Sequence, residues 1–349
     1  MNSLNIAIIG YGNIAPLYIQ NIRQYFHTLN IWGVFGRQHD KALKFARDFS
    51  IPHVYNTYDA LLNDKHVDIV LNLTAPAAHY EYTRQALERR KHVYSEKPLA
   101  LSHSQSLELL NLAVKKQVLL YCAPDTVLGE GAKSGARYIE EGIIGTVFGF
   151  RAHLAKRGVE NWHPNPRFLF KDGGGPLMDM GPYYLSSLIK LFGPVHKAAG
   201  MSLTPMPAKT ISRGPLQGQV ISVETPTYIT ALLEFKSHIL GMLLTSFDVH
   251  SSHSSHIEVY GTTGTLFLPD PDTFGGPVLL YRDGAPGIEL PLLFKNNGNC
   301  RGLGISVMSE NILSGSYSYE NAKTAVHVME VIDAIKNTQS EASLLKTNT

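Results

Sequence analysis

Leu4-Asn5-Ile6-Ala7-Ile8-Ile9-Gly10-Tyr11-Gly12-Asn13-Ile14-Ala15 decides the fold. Its first six residues are an apolar run of strand length, and they pass straight into Gly10-x-Gly12-x-x-Ala15. Behind the loop, Ile14, Leu17, Tyr18, Ile22 and Tyr25 recur at helical spacing. Strand, glycine-rich turn and helix in this order are the context in which such a loop binds a dinucleotide. Gly10 permits the tight turn, Gly12 lets backbone approach a pyrophosphate, and Ala15 is small enough for close helix–strand packing. The helix start, entered through Asn13 and Ile14, offers unpaired N–H groups to the phosphates.

Further apolar runs lie at Leu29–Phe35, Val67–Leu73, His92–Ser95 and Val118–Cys122. Between them are helical stripes: Ala42, Phe45, Ala46 and Phe49 after a cap at Asp40, and Leu107, Leu110 and Val114 after a Ser102/Gln105 capping box. Alternation of this kind predicts a Rossmann-type, doubly wound parallel sheet over residues 1–122. The pattern changes after Cys122. A helix at about Lys133–Glu141 ends at Gly142, a strand follows near Val147–Leu154, and a helix near Met178–Phe192. Short β segments such as Tyr228–Phe235 and Ile239–Phe247 come next, with Thr204–Gly218 read as a long loop. A last helix carries Ala325, Val328, Met329, Ile332 and Ile335. Residues 123–340 are therefore expected to form an α+β domain with a large, mostly antiparallel open sheet, leaving 341–349 as a tail.

At 349 residues the chain has room for two domains, and 44% hydrophobic with 17% charged residues fits an ordinary globular protein. A net charge of +2, without a basic run, gives no electrostatic case for nucleic acid. Cys122 and Cys300 make no disulfide framework, and Cys122, ending an apolar run, reads as a buried structural thiol. The start lacks signal-peptide character and no apolar run approaches the ~18 residues of a membrane span, so a cytoplasmic protein is expected.

Chemistry-bearing residues cluster at strand ends. Glu96-Lys97-Pro98 follows the run His92–Ser95, at the sheet edge where open α/β sheets bind ligands, which places Lys97 over a cofactor. The second strand ends Phe35-Gly36-Arg37, with glycine where an acid would hold the ribose hydroxyls of NAD. Arg37 suits a 2′-phosphate or an adenine face, which favours NADP over NAD. Thr74-Ala75-Pro76 ends another strand, and with His79 at the helix start it is expected against the nicotinamide half.

These motifs together resemble the glucose–fructose oxidoreductase/inositol dehydrogenase (Gfo/Idh/MocA) family. Ile144-Gly145, the run Gly173-Gly174-Gly175-Pro176-Leu177-Met178-Asp179-Met180-Gly181-Pro182-Tyr183-Tyr184, and Gly261-Thr262-Thr263-Gly264-Thr265-Leu266 extend the resemblance over nearly the whole chain. The resemblance implies a dinucleotide domain followed by an α/β domain whose open sheet mediates assembly, as a homodimer or homotetramer. It also implies NAD(P)-dependent hydride transfer at a secondary alcohol or ketone of a sugar, cyclitol or similar polyol. A dihydrodiol-type or other non-sugar alcohol is the second reading, and a non-catalytic sensor of NAD(P) or sugar is the third. Many relatives carry Asp-x-Gly-x-His, with histidine as proton carrier; this chain has Asp179-x-Gly181-x-Tyr183. A free tyrosine has a pKa near ~10, and a neighbouring ammonium favours its phenolate, so Lys97 is a natural partner for Tyr183. The catalytic set is then Lys97, Tyr183 and Asp179, with Glu96 orienting Lys97 and Asp179 holding a substrate hydroxyl or the lysine.

Two further segments are chemically suggestive. In Glu160-Asn161-Trp162-His163-Pro164, Trp162 offers a flat face to a sugar ring and His163 a hydrogen bond, against the alternative of a loop with the Trp packed inward. Asp248-x-His250-x-x-His253-x-x-His256 has a three-residue period that does not converge on one strand face, so no metal site is expected.

Overall fold

The computed structural model describes residues 3–253, 256–295 and 298–338; the tail expected over 341–349 lies outside them. The chain forms two compact units, Met1–Leu128 with Asn299–Met329, and Gly129–Gly298 with Glu330–Thr349.

The first unit contains, in chain order, β1 (Leu4–Ile9), α1 (Ala15–Tyr25), β2 (Leu29–Phe35), α2 (His39–Asp48), β3 (His53–Val54), α3 (Tyr58–Asn63), β4 (Ile69–Asn72), α4 (Pro76–Glu88), β5 (His92–Ser95), α5 (His103–Lys116) and β6 (Leu120–Cys122). All six strands are parallel, in the order β3-β2-β1-β4-β5-β6. The order reverses beside β1, which puts a crevice at its carboxyl end. Alternation along β1 builds both faces: Ile6 and Ile8 join one apolar cluster with Tyr18, Ile19 and Ile22, while Ala7 and Ile9 join a second with Val70, Val93 and Leu109. Burial on both faces explains why these strands read as unbroken apolar runs.

Three local expectations are corrected. Tyr25 is half exposed, because α1 ends there and Phe26, at its cap, packs inward instead. The buried face of α5 is Ser106, Leu109 and Ala113 rather than Leu107 and Val114; small side chains at 106 and 113 let the helix lie close to the sheet. Helix α2 begins at His39 with Gln38 at its cap position, so Asp40 sits in the first turn, where its charge suits the helix's positive end. By contrast the Ser102 side chain does accept the Gln105 N–H, at 3.3 Å.

The second unit contains α6 (Glu130–Glu140), β7 (Val147–Ala155), α7 (Gly175–Phe192), β8 (Val195–Leu203), β9 (Ala208–Thr210), β10 (Val220–Ser222), β11 (Tyr228–Phe235), β12 (Leu240–Ser246), β13 (Ile257–Gly261), β14 (Gly264–Leu268), β15 (Val278–Tyr281) and β16 (Ile288–Leu290). Eight strands form one sheet, in the order β16-β15-β14-β13-β7-β12-β11-β8, antiparallel except where β7 and β12 run together. The segment expected as a long loop holds β9, which pairs with β10, because Lys209 and Ile211 turn inward. Helix α8 (Leu303–Ser314) packs in the first unit through Ile305 and Met308, and α9 (Glu320–Asn337) begins there with Ala322 and Val326. Among the described residues no helix is long and apolar enough to cross a membrane.

Candidate functional site

A groove of about 940 Å3 opens at the carboxyl end of the parallel sheet, lined by Gly10, Gly12, Arg37, Thr74, Ala77 and Tyr82 among others. Gly10 has φ +86°, and a Cβ there would stand 2.6 Å from the Leu73 carbonyl oxygen, so the turn requires glycine twice over. Gly12 is different. Open space surrounds the place of its Cβ, so packing within the chain gives no reason for glycine, and the open groove beside it does.

Helix α1 starts beside Asn13 and Ile14 with no side-chain cap, no acid in its first turn, and Pro16 among its first residues. Helix α4 likewise starts without a side-chain cap, with Pro76 at its first position. Helix ends left uncapped toward a groove are ready for an anionic ligand. This arrangement fits the diphosphate of a dinucleotide.

The loop after β4 is held by a residue that the sequence reading missed. Asn72 is fully buried; its Oδ1 accepts the Thr74 hydroxyl at 2.7 Å and the Thr74 N–H at 3.2 Å, and its amide donates to the His79 carbonyl and Thr83. A polar residue ending an otherwise apolar strand is the signal that could have marked it. His79 is buried rather than facing the groove. Its Nδ1 lies 2.7 Å from the Pro98 carbonyl oxygen and its Nε2 2.8 Å from that of Thr74. The ring thus ties the Thr74-Ala75-Pro76 turn to Glu96-Lys97-Pro98. Burial pushes the imidazole pKa down, and the two carbonyls pull it back up.

Glu96 is buried and Lys97 half-buried at the end of β5, and the Lys97–Pro98 peptide is cis. The Glu96 carboxylate accepts the Tyr18 hydroxyl at 2.7 Å and the Lys97 backbone N–H at 3.1 Å. It therefore fixes the backbone from which Lys97 projects and ties it to α1, the helix of the glycine loop. Cys122 is buried nearby, its thiol pKa pushed well up by burial.

Asp179 and Tyr183 belong to the second unit, on α7, one helical turn apart and so on one face. Tyr183 is buried and Asp179 half-buried. Pro182 inside the helix removes one backbone N–H there. Trp162 is 62% exposed, so it does not pack inward. His163 is half-buried; its Nδ1 accepts the Asn165 N–H at 3.1 Å. Burial lowers the His163 pKa and the Asp179 carboxylate opposes that, so the two expected substrate residues share one neighbourhood.

Lys209 was missed altogether. It is buried on β9, with its ammonium 2.7 Å from Asp248 Oδ1, 3.3 Å from Glu160 Oε1 and 2.9 Å from the Phe247 carbonyl oxygen. Asp248 is thus engaged by Lys209 and the Thr227 hydroxyl, while His256 meets the Tyr184 hydroxyl at 2.8 Å.

A parallel nucleotide-binding sheet followed by an open, mostly antiparallel one defines a two-part dinucleotide oxidoreductase. Residues 4–123 match the model of an oxidoreductase family with an NAD-binding Rossmann fold (GFO/IDH/MocA), and residues 135–267 match the GFO/IDH/MocA C-terminal domain. The chain belongs to the GFO/IDH/MocA oxidoreductase family. It is 28% identical to an uncharacterized oxidoreductase of Schizosaccharomyces pombe over 56% of this chain and 53% of that protein, about half the relative's length. It is 22% identical to the myo-inositol 2-dehydrogenase of Thermotoga maritima, over 76% of this chain and 75% of that one. In fold it is similar to the aldose–aldose oxidoreductase of Caulobacter crescentus, with a TM-score of 0.80 at 21% identity over 97% and 98% of the two chains.

Proposed function

We propose that the chain interconverts a secondary alcohol and a ketone on a sugar, cyclitol or similar polyol, with NADP ahead of NAD as cofactor. The observation that carries this reading is the groove, in which the bare backbone of Gly12 and the start of α4, without a side-chain cap, border a space of dinucleotide size. When bound, the nicotinamide supplies the hydride acceptor or donor at C4.

The protein's own residues then handle the proton and the developing charge. In alcohol oxidation the substrate O–H bond breaks as its carbon loses hydride, and the proton goes to the Tyr183 phenolate oxygen. Lys97 stabilises the alkoxide that develops on the same oxygen. In reduction each transfer runs backwards. Glu96 acts one step removed, by holding the Lys97 backbone, and Asp179 holds a neighbouring substrate hydroxyl. Trp162, exposed on its loop, offers an apolar face to the ring, and His163 a hydrogen bond. Relatives named for inositol and aldose chemistry support a polyol as substrate.

The outer face of the eight-stranded sheet bears Met201, Leu203, Leu232, Leu240 and Met242, all about half exposed or more. Leu232 and Met242 stand opposite each other in register. Such a patch favours a second copy of the chain over solvent, giving a homodimer or homotetramer. Light scattering at micromolar concentration reads this directly.

The functional test follows reduced-nicotinamide absorbance across a panel of sugars and cyclitols. Turnover is expected for at least one, with Lys97→Ala and Tyr183→Phe each reducing kcat by about 10²–10⁴-fold. Variants that fold, bind cofactor and turn over at the wild-type rate would refute the assignment. Cofactor binding with no turnover on any polyol would instead support a sensor.

A further inference from the structure

Gly36 directly follows β2, at the position where dinucleotide domains often present an acid to the adenosine ribose. A Cβ added at Gly36 would lie 1.9 Å from ring carbon Cε1 of Tyr11 and 2.8 Å from Cδ1 and Cζ. The tyrosine ring therefore fills the volume that any side chain at 36 would need. It is held there from two sides. Its hydroxyl donates to the Gln38 carbonyl at 3.0 Å, and its ring packs on Phe45 with centroids 5.8 Å apart. Tyr11 is also the residue between Gly10 and Gly12, so the phosphate loop itself controls what β2 can present.

The charge left at that end of the groove has one sign. Among the described residues lining it, Arg37 is charged and no acid is present. Arg37 is exposed, and its guanidinium presents a planar donor fork suited to phosphate.

We propose that Tyr11 is the residue that selects the cofactor: by occupying the acid's place over Gly36 it leaves Arg37 as the group that meets the adenosine ribose, and so favours a 2′-phosphorylated dinucleotide. This rests on the groove being a dinucleotide site.

Calorimetric titration of NADP and NAD into four proteins tests it: wild type, Gly36→Asp, Tyr11→Ala/Gly36→Asp and Arg37→Ala. Wild type is expected to bind NADP at least tenfold tighter than NAD, and Arg37→Ala to lose about tenfold for NADP with NAD unchanged. Gly36→Asp alone should gain less than threefold for NAD, because the Tyr11 ring excludes a usable carboxylate. The double variant should gain tenfold or more. The inference is overturned if Gly36→Asp alone gains as much as the double variant, if the double variant gains nothing, or if wild type prefers NAD. A wild-type chain that binds neither dinucleotide removes the groove reading and this inference together. Since an aspartate at 36 can impair folding, thermal melts of Gly36→Ala with and without Tyr11→Ala read the same clash. The alanine should lower the melting temperature only while Tyr11 is present, and an equal effect in both backgrounds would also overturn the proposal.

Discussion

Both units bury charged side chains, and they satisfy them in opposite ways. In the first, the Glu96 carboxylate rests on a phenol hydroxyl and a backbone N–H, and Asp125 Oδ2 accepts the N–H groups of Gly302 and Gly304 at 2.7 and 3.2 Å. In the second, Lys209 lies between Glu160 and Asp248. A carboxylate held mainly by hydrogen-bond donors can take up a proton and keep its neighbours. A buried ammonium held by two carboxylates cannot be removed without stranding charge. The first arrangement suits the surroundings of Lys97, proposed above to stabilise a developing alkoxide. The second suits a fixed frame: Glu160 opens the Trp162 segment, and Ser212, near the end of β9, donates its N–H to the Glu160 carbonyl at 3.0 Å.

The largest way to break this contrast is Lys209→Ala. It leaves Glu160 and Asp248 buried without their cation and should cost about 3–5 kcal/mol, read as a fall in the urea midpoint of the second unit. Lys209→Met, of similar length, should cost as much, because the loss is of charge rather than volume. An unchanged midpoint in both would mean the cluster is solvated.

Asp125 gives the next effect, and its sign is opposite to that of a salt-bridged carboxylate. Burial raises its pKa to about 6 from 3.8, against the pull of the Gly304 and Gly302 N–H groups and Arg301. The folded state therefore holds this proton more tightly than the unfolded chain does. Its contribution is full below about pH 3.8, is lost as pH rises toward 6, and is constant above. Asp125→Asn keeps an oxygen for the two N–H groups and cannot titrate. The variant should gain on wild type by roughly 2–3 kcal/mol between pH 4 and pH 7, seen as diverging melting temperatures. Parallel curves would show that Asp125 does not titrate in this range.

Removing one neutral donor should matter less. Tyr18→Phe deletes the hydroxyl on Glu96 and should cost about 1.5 kcal/mol. If Glu96 positions Lys97, this variant should also lower kcat more than it raises KM for the cofactor. A loss confined to stability would restrict Glu96 to a structural role.

The same contrast explains what the sequence disclosed. The parallel sheet was legible because full burial leaves a local signature: the bounds of β1, β2 and β5 follow their apolar runs residue for residue. The glycine loop was legible because its geometry is set within six residues. Asn72 and Tyr18 left weak signals, a polar residue ending an apolar strand and a tyrosine on a buried stripe. Lys209 left none. Its partner Glu160 is 49 positions away, and a lysine among Pro, Ala and Thr reads as loop until a distant carboxylate is folded onto it. The division of Tyr11 and Gly36 between two motifs hid their contact in the same way. Helix α8 escaped because its stripe is broken by glycine and serine at 304, 306 and 309, which are themselves buried.

The smallest effect tests whether purely local signals act locally. Ser102 caps α5 by accepting the Gln105 N–H, and its own carbonyl accepts the Ser106 hydroxyl at 2.9 Å. Ser102→Ala removes the cap but not the second bond, so about 1 kcal/mol of stability should be lost. Ser102 does not line the groove, so NADP affinity should stay within twofold of wild type. Helix α1 has no side-chain cap to lose. Its Ala15 and Leu17 N–H groups are bonded to the Gly12 and Ile14 carbonyls and Pro16 carries none, so the donors a phosphate would meet lie in the loop that precedes it. Placing an acid in that loop, as Asn13→Asp, should therefore do the reverse of Ser102→Ala: little change in melting temperature without ligand and a clear loss of NADP affinity, because the new carboxylate repels the phosphates at the helix's positive end. Equal responses of the two helices in titration would mean that the phosphates lie elsewhere in the groove.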